Sequence, residues 1–306
     1  PSEDSFEVTS VDGSSQLYIT VLPEKTIGMY KQLLIYFLFV IGITCLLVFI
    51  THSLKPIAKR NAWLVFVYPI FLVSIRYYSI KHDWFSFFSD FEIYDPNLYA
   101  HSSVIPNLGS LIISLSTAFV IISWALSFIR LIQAKKMLGS SVLLLLYLGL
   151  LAYSILINTL LESLVLNSSI YLEIDEVFSL DVYSLIALLI IASLFFSYYL
   201  LIRKLSIKII QSRIKLTTLS LFWFFSGVGI FLLEILYYNS DPLYATWPIL
   251  VNGLFFFVAS KEIRLNTLKY HIATVIVFAF YGAVILINSN AYNEMQKREV
   301  YANQLI

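Results

Sequence analysis

The chain predicts an all-α polytopic membrane protein with about eight transmembrane helices and a short extracytoplasmic β-hairpin at its N-terminus. Three observations carry this. Of the 306 residues, 59% are hydrophobic and only 13% are charged, against about 25% charged in an ordinary soluble domain. The apolar residues gather into stretches near the ~20 residues that a helix needs to cross a hydrocarbon layer. Lys and Arg alternate from one side of those stretches to the other. A soluble globular enzyme, a nucleic-acid binder and a disordered chain are excluded by the same composition.

Residues 1–27 are not membrane-like. Phe6-Glu7-Val8-Thr9 and Gln16-Leu17-Tyr18-Ile19-Thr20-Val21-Leu22 are rich in β-branched and aromatic residues, with Asp12-Gly13 between them as a hairpin turn signal. A lone hairpin is marginal in water, so the segment is expected to be the end of an extracytoplasmic β domain upstream. The chain opens at Pro1 without an initiator Met and stops at Ile306 without a terminating pattern. That predicts a piece of a longer protein, and no stretch resembles a cleavable signal peptide.

The transmembrane module, 28–289, contains apolar segments at about 29–52, 62–80, 108–132, 140–161, 182–202, 216–238, 244–260 and 270–289. The seventh is the weakest, being short and opened by Trp247-Pro248, but Pro is tolerated in a membrane helix where neighbours satisfy the backbone. Cys45, the single cysteine, lies in the first segment and has no disulfide partner. Residues 290–306 continue from the last segment as an outward-facing linker helix, expected to lead to a domain downstream.

Cytoplasmic loops carry an excess of Lys and Arg. The alternate connections hold Lys55, Lys59 and Arg60, then Arg130, Lys135 and Lys136, then Arg203, Lys204, Lys208, Arg213 and Lys215, then Lys261, Arg264 and Lys269, which is 14 of the 20 basic residues. Of the 19 acidic residues only Glu262 joins them. A miscounted span would invert every later loop, so both ends of the chain are expected outside, with the module in a bacterial inner membrane.

Two outer loops are long. In the first, Trp84, Phe87, Phe88 and Phe91 fall at helical spacing, predicting a short helix lying in the membrane interface. Tyr94-Asp95-Pro96-Asn97 then makes a turn before Pro106 opens the third span. The second, 162–181, carries Glu162, Glu173, Asp175, Glu176 and Asp181, a cation-attracting or simply a solvated acidic surface. Asn167-Ser168-Ser169 matches a glycosylation acceptor, a pattern without meaning in a bacterial membrane protein.

Chemistry-bearing residues are sparse at membrane depth, where charge is costly and kept for function. Arg76 and Glu234 each lie about one turn inside an outer boundary, and Glu162 ends the fourth span. Arg76 is expected to pair with Glu234 or Glu162, or else to snorkel to the headgroups. Asn158, Ser226 and Asn252 fit helix-to-helix hydrogen bonds better than substrate binding. Gly227-Val228-Gly229 has neither the strand nor the third glycine of a dinucleotide site. His52 and His271 sit inside and His82 and His101 outside, so no helix carries a His pair at metal spacing. His82 with Asp83, Asp90 or His101 is the one place where a metal or proton site is conceivable. No catalytic motif, cofactor site or metal site is predicted.

The outer loop Asp83-Trp84-Phe85-Ser86-Phe87-Phe88, running to Tyr94-Asp95-Pro96-Asn97-Leu98-Tyr99-Ala100 and Pro106-Asn107-Leu108-Gly109-Ser110-Leu111, resembles the membrane region of Bacteroidetes-type sensor histidine kinases. So do the stretch from Leu172 to Leu185 and the closing Tyr301-Ala302-Asn303-Gln304-Leu305-Ile306. The resemblance covers most of the chain. It implies outer sensing domains flanking a multi-span unit, and a cytoplasmic kinase core later in the chain. The departure is that no kinase is present: His52-Ser53-Leu54-Lys55-Pro56 echoes a phospho-acceptor box but lacks its acidic residue, and there is no nucleotide site.

The sequence therefore predicts a sensing and coupling module of a sensor histidine kinase, a homodimer without catalysis of its own. Its partners would be the lipid bilayer and its own extracytoplasmic and kinase domains, with no nucleic acid. Coupling or ligand contact is expected at Arg76, Trp84, Phe88, Glu162 and Glu234. The alternatives are a transporter or channel, which would gather polar residues at the midplane, and a membrane enzyme acting on lipid-linked substrates, which would converge acids or histidines at one face.

Overall fold

The computed structural model describes residues 5–9, 16–20, 28–61, 63–134, 140–170, 172, 180–211, 216–237, 242–260 and 268–304. The chain divides into two compact units, Pro1–Phe39 and Val40–Ile306.

In the first unit, β1 (Ser5–Thr9) and β2 (Gln16–Thr20) pair antiparallel, with Ser5 opposite Thr20 and Thr9 opposite Gln16. The Asp12-Gly13 turn lies outside the described residues. Helix α1 (Met29–Arg60) begins in this unit, where the Gly28 carbonyl accepts from the Lys31 and Gln32 amides at 2.8 and 3.2 Å, and it continues into the second.

The second unit adds α2 (Leu64–Lys81), α3 (Leu108–Ala134), α4 (Ser140–Leu166), α5 (Val182–Gln211), α6 (Leu216–Tyr237), α7 (Pro242–Ser260) and α8 (Leu268–Gln304). Among the described residues, six helices are long and apolar enough to cross a membrane, over Met29–Ala58, Leu64–Lys81, Leu108–Ser127, Leu146–Leu166, Val182–Ile207 and His271–Met295. The sequence led us to expect eight. In α6 and α7 the described apolar stretches, Ser220–Leu233 and Thr246–Phe255, are 10–17 residues, shorter than the ~20 needed. One other boundary differs from expectation, since α1 passes Pro56 and ends at Arg60. Helix α8 continues without a break past 289 to Gln304, 37 residues in all, as the sequence led us to expect of that stretch.

The apolar surface points outward. Phe66 and Ile70 on α2 are 68% and 64% exposed, and only 22% of that span is buried, whereas 56% of the α4 span is. Exposed apolar area on this scale marks a membrane surface. The helices thus sort into a rim that meets lipid and a centre formed by α4, α5, α7 and α8.

A membrane helix must satisfy every backbone group internally, and α2 contains a break in that rule. Pro69 has no N–H to give the Val65 carbonyl four residues earlier. The indole of Trp124 on α3 donates to that carbonyl at 3.1 Å. The same ring packs on Tyr68 with centroids 4.8 Å apart, and the Tyr68 hydroxyl bonds Thr51 of α1 at 2.8 Å. The indole that meets the open carbonyl belongs to an apolar cluster of Ala58, Val65, Tyr68, Leu72, Val120 and Trp124 that ties the three helices together.

The central helices are joined by polar pairs. Trp247 on α7 donates to Asn158 Oδ1 on α4 at 2.7 Å, Asn252 on α7 donates to the Tyr198 hydroxyl on α5 at 2.9 Å, and Tyr153 on α4 meets Ser197 on α5 at 2.6 Å. Thr246 on α7 donates to Tyr281 on α8 at 2.9 Å. This is the helix-bridging role that the sequence assigned to Asn158 and Asn252, each worth about 0.6–2 kcal/mol in a membrane, whereas Ser226, given the same role, donates to the Phe222 carbonyl of its own helix at 2.6 Å.

Trp124→Phe should keep the ring packing and strand the Val65 carbonyl, costing about 1–3 kcal/mol. In a Pro69→Ala background the backbone N–H returns, and the same substitution should cost less than half as much. Equal losses in the two backgrounds, measured by unfolding in mild detergent, would rule out the repair.

Candidate functional site

Of the residues expected to carry coupling, Arg76 lies in the last turns of α2, Trp84 and Phe88 in the α2–α3 connection, Glu162 near the end of α4 and Glu234 near the end of α6. Helix α2 stops because Asp83 adopts φ 46°, a left-handed conformation that Asp tolerates better than most residues. The amides of His82 and Trp84 then close onto the Tyr78 and Ser79 carbonyls at 3.1 and 3.0 Å.

Beyond this turn the predicted interfacial helix does not form. The chain instead makes two 3₁₀ turns, Ser86–Phe88 and Glu92–Tyr94. The four aromatics consequently share no face: Phe88 is 3% exposed while Trp84 and Phe87 are 51% and 59% exposed. The physical cause is local, since Phe88 is drawn inward onto Phe91 and Tyr94, with ring centroids at 5.1 and 5.8 Å. Trp84 stays at the rim, edge-on to Tyr78 at 5.6 Å.

Arg76 is buried in the last turns of α2. Its Nε donates to Ser114 Oγ at 3.0 Å, Nη1 to Ser79 Oγ at 3.1 Å, and Nη2 to the carbonyl and hydroxyl of Ser110 at 2.7 and 3.1 Å. Phe85 covers the guanidinium at 5.8 Å, a cation–π distance. We had expected a carboxylate partner, and these contacts are hydroxyls and a carbonyl. The Glu234 side chain lies outside the described residues, and Glu162 sits half-buried on α4 beside Ser163. The signal available in the sequence was Ser110 and Ser114, four apart and so on one face of α3.

The connection is then stitched to its neighbours. Asn107 Oδ1 accepts the Ser110 amide at 2.8 Å and caps α3. Tyr94 lies flat against Gly109, where a Cβ would sit 2.4 Å from the ring. Ala100 donates to the Asn167 carbonyl and Ser169 to that of Leu98, both at 3.1 Å, pairing the loop with the end of α4. Tyr99, fully buried, bonds Ser163 at 3.1 Å. Burial raises the Tyr99 phenol pKa above its ordinary value, with the Ser163 bond pulling the other way. Tyr183 of α5 donates to Glu92 Oε2 at 2.8 Å. From α8, Asn290 donates to the Leu172 carbonyl at 3.0 Å and Asn293 to that of Val165 at 3.4 Å. The result is a cap bonded to α3, α4 and α5, with α8 bonded to α4 and the α4–α5 connection beside it.

The acidic surface expected over 162–181 is only partly described, since Glu173, Asp175 and Glu176 lie outside the described residues. Asp181 has a structural task, accepting the amide and hydroxyl of Ser184 at 2.6 and 2.8 Å as the N-cap of α5. Asn167, the glycosylation-like asparagine, donates to Ser163 at 3.3 Å. Among the described residues no three His, Cys, Asp or Glu side chains gather as metal ligands. His82 instead lies over the Tyr78 ring at 4.1 Å.

Gly109→Ala should overpack the Tyr94 contact and cost about 1–3 kcal/mol. Tyr94→Ala should remove most of that difference, as a thermal-unfolding double-mutant cycle would show. Undiminished loss without the Tyr94 ring would mean that the glycine is needed for another reason. Comparisons with protein-family models, with curated proteins and with solved structures gave no match for this chain.

Proposed function

We propose that this chain is the membrane sensing and coupling module of a bacterial sensor histidine kinase, seated in the inner membrane with both ends outside. In this reading all eight helices span, the paired strands end an upstream β domain, and the module works as a homodimer. The kinase is encoded further along the same chain. The observation that carries the proposal is the attachment of α8 to α4 and the α4–α5 connection, the elements to which the cap is bonded. Asn290 and Asn293 bond the α4–α5 connection and the end of α4 to a helix that runs uninterrupted from Leu268 to Gln304.

Such an arrangement suits signal transmission. A ligand acts on a switch only through a difference in its contacts with the two states. Trp84, exposed at the rim and resting on Tyr78, is available for those contacts, while Phe88 anchors the loop from beneath. Arg76 fastens α2 to α3 directly below. A shift of the cap is passed to α4, α5 and α8 through Tyr99, Glu92 and the two asparagines. Glu162 and Glu234 belong to the same layer in this proposal.

The first experiment is to sequence the source gene beyond Ile306 and before Pro1. A histidine box and a nucleotide-binding domain downstream are the expected result, and a gene with neither would overturn the proposal. In the full-length protein, Trp84→Ala should change kinase output and leave thermal stability as it was, whereas Phe88→Ala should lower stability by about 3–5 kcal/mol. Wild-type output from Trp84→Ala would remove the loop from the signalling path.

A further inference from the structure

An apolar groove of about 1050 Å³ runs along the bundle between α5 and α8. Leu188, Ala192 and Phe196 form one wall and Val275, Ala279 and Gly282 the other. Its floor is the stacked pair Phe195 and Phe278, centroids 4.9 Å apart, which rests in turn on Trp247 of the polar core. Gly282 sets the depth: a Cβ there would already touch the Phe195 ring at 3.4 Å. On α8 the groove extends from His271 to Leu286, about 22 Å of helix at 1.5 Å per residue. That exceeds half of the ~30 Å hydrocarbon thickness, so the groove has the length of one leaflet's acyl chain.

The two ends differ chemically. One is closed by Leu172 and Leu180, with the Leu172 carbonyl held by Asn290. The other carries the only titratable side chains among the lining residues, Tyr199 and His271, hydrogen-bonded to each other. One turn further along α5, Arg203 lies beside the Tyr199 hydroxyl, followed by Lys204, both half-buried. Apolar walls lying within membrane-crossing helices call for an apolar chain, and the cationic mouth calls for an anion. A phosphate attached to an acyl chain satisfies both, and Arg in particular matches phosphate geometry.

We propose that this groove binds an anionic glycerophospholipid, with one acyl chain between α5 and α8 and the phosphate at Arg203, Tyr199 and His271. The site does not depend on the signalling role proposed above. Because its walls are α5 and α8 and its closed end is bonded to Asn290, an occupied groove holds the spacing of the two helices that flank the cap.

The test uses the whole chain, delipidated in mild detergent and titrated with palmitoyl-oleoyl phosphatidylglycerol under native mass spectrometry. Ala192→Phe with Ala279→Phe fills the groove from both walls at exposed positions, and should weaken retention of the lipid about tenfold. Val73→Phe, which adds the same bulk to the exposed face of α2, should change nothing. Arg203→Gln should lower phosphatidylglycerol binding about tenfold, to the level of phosphatidylcholine. In the unaltered protein, a phosphatidylglycerol with a diazirine in its acyl chain should label 188–199 and 271–286 in preference to α2. Labelling spread evenly over all lipid-facing helices, unchanged binding in the filled groove, or indifference to Arg203→Gln would each overturn the proposal. So would a filled groove that splits a dimer, since its occupant would then be a second copy of the chain.

Discussion

Hydrocarbon supplies no hydrogen-bond partner, so each backbone or side-chain polar group within the membrane must find one in the protein. The Val65 carbonyl, left open by Pro69, shows how far that requirement reaches. Its only remedy is a donor from another helix, and the Trp124 indole provides it. Placing the indole there fixes the approach of α3 to α2, and the Tyr68 ring tilted against it carries the contact to Thr51. The same requirement shapes the Arg76 layer, where a buried guanidinium finds three serines. It also shapes the central helices, where Asn158, Asn252, Tyr198 and Trp247 are shared in pairs. With no hydrophobic force between helices in lipid, these directed bonds add to close packing in favouring this arrangement.

The cap belongs to a different regime. It is built from turns and 3₁₀ segments, its amides bond to loop carbonyls, and its contacts with the helices run through single side chains such as Tyr99, Glu92 and Tyr94. Each such contact is worth about 0.5–1.5 kcal/mol, small against the packing beneath it. Segments of this kind occupy the low-stability end of a protein and supply the parts that move.

Much of this was legible in the sequence. The eight apolar segments are helices, six of them long and apolar enough among the described residues to cross a membrane, because a helix satisfies its own backbone where lipid offers no partner. Asn158 and Asn252 were identifiable as bridges for the same reason. What was not legible came from contacts distant in the chain. The helical spacing of Trp84, Phe87, Phe88 and Phe91 was real as a pattern, yet one left-handed residue, Asp83, and the pull of Tyr94 on Phe88 override it. Around Arg76 the serine and carbonyl contacts were not anticipated. A search for opposite charge passed over Ser110 and Ser114, whose relevance depends on the face that α3 turns toward α2. His271 and Tyr199 are 72 positions apart, and nothing in the local sequence of either announced the other.

The continuity of α8 has a geometric consequence. A helix of 37 residues is about 55 Å long and advances about 100° per residue. It therefore conveys rotation as faithfully as translation, with no joint at which a twist can be absorbed. Two partners along it, the α5 wall near Phe278 and the carbonyls that meet Asn290 and Asn293, are locked in azimuth as well as in height. One residue inserted between them would turn one set of contacts away from its partners, while an insertion of seven would nearly restore the phase. The spacing between Phe278 and Asn290 is thus a tuned quantity in its own right, independent of which side chains fill the interval.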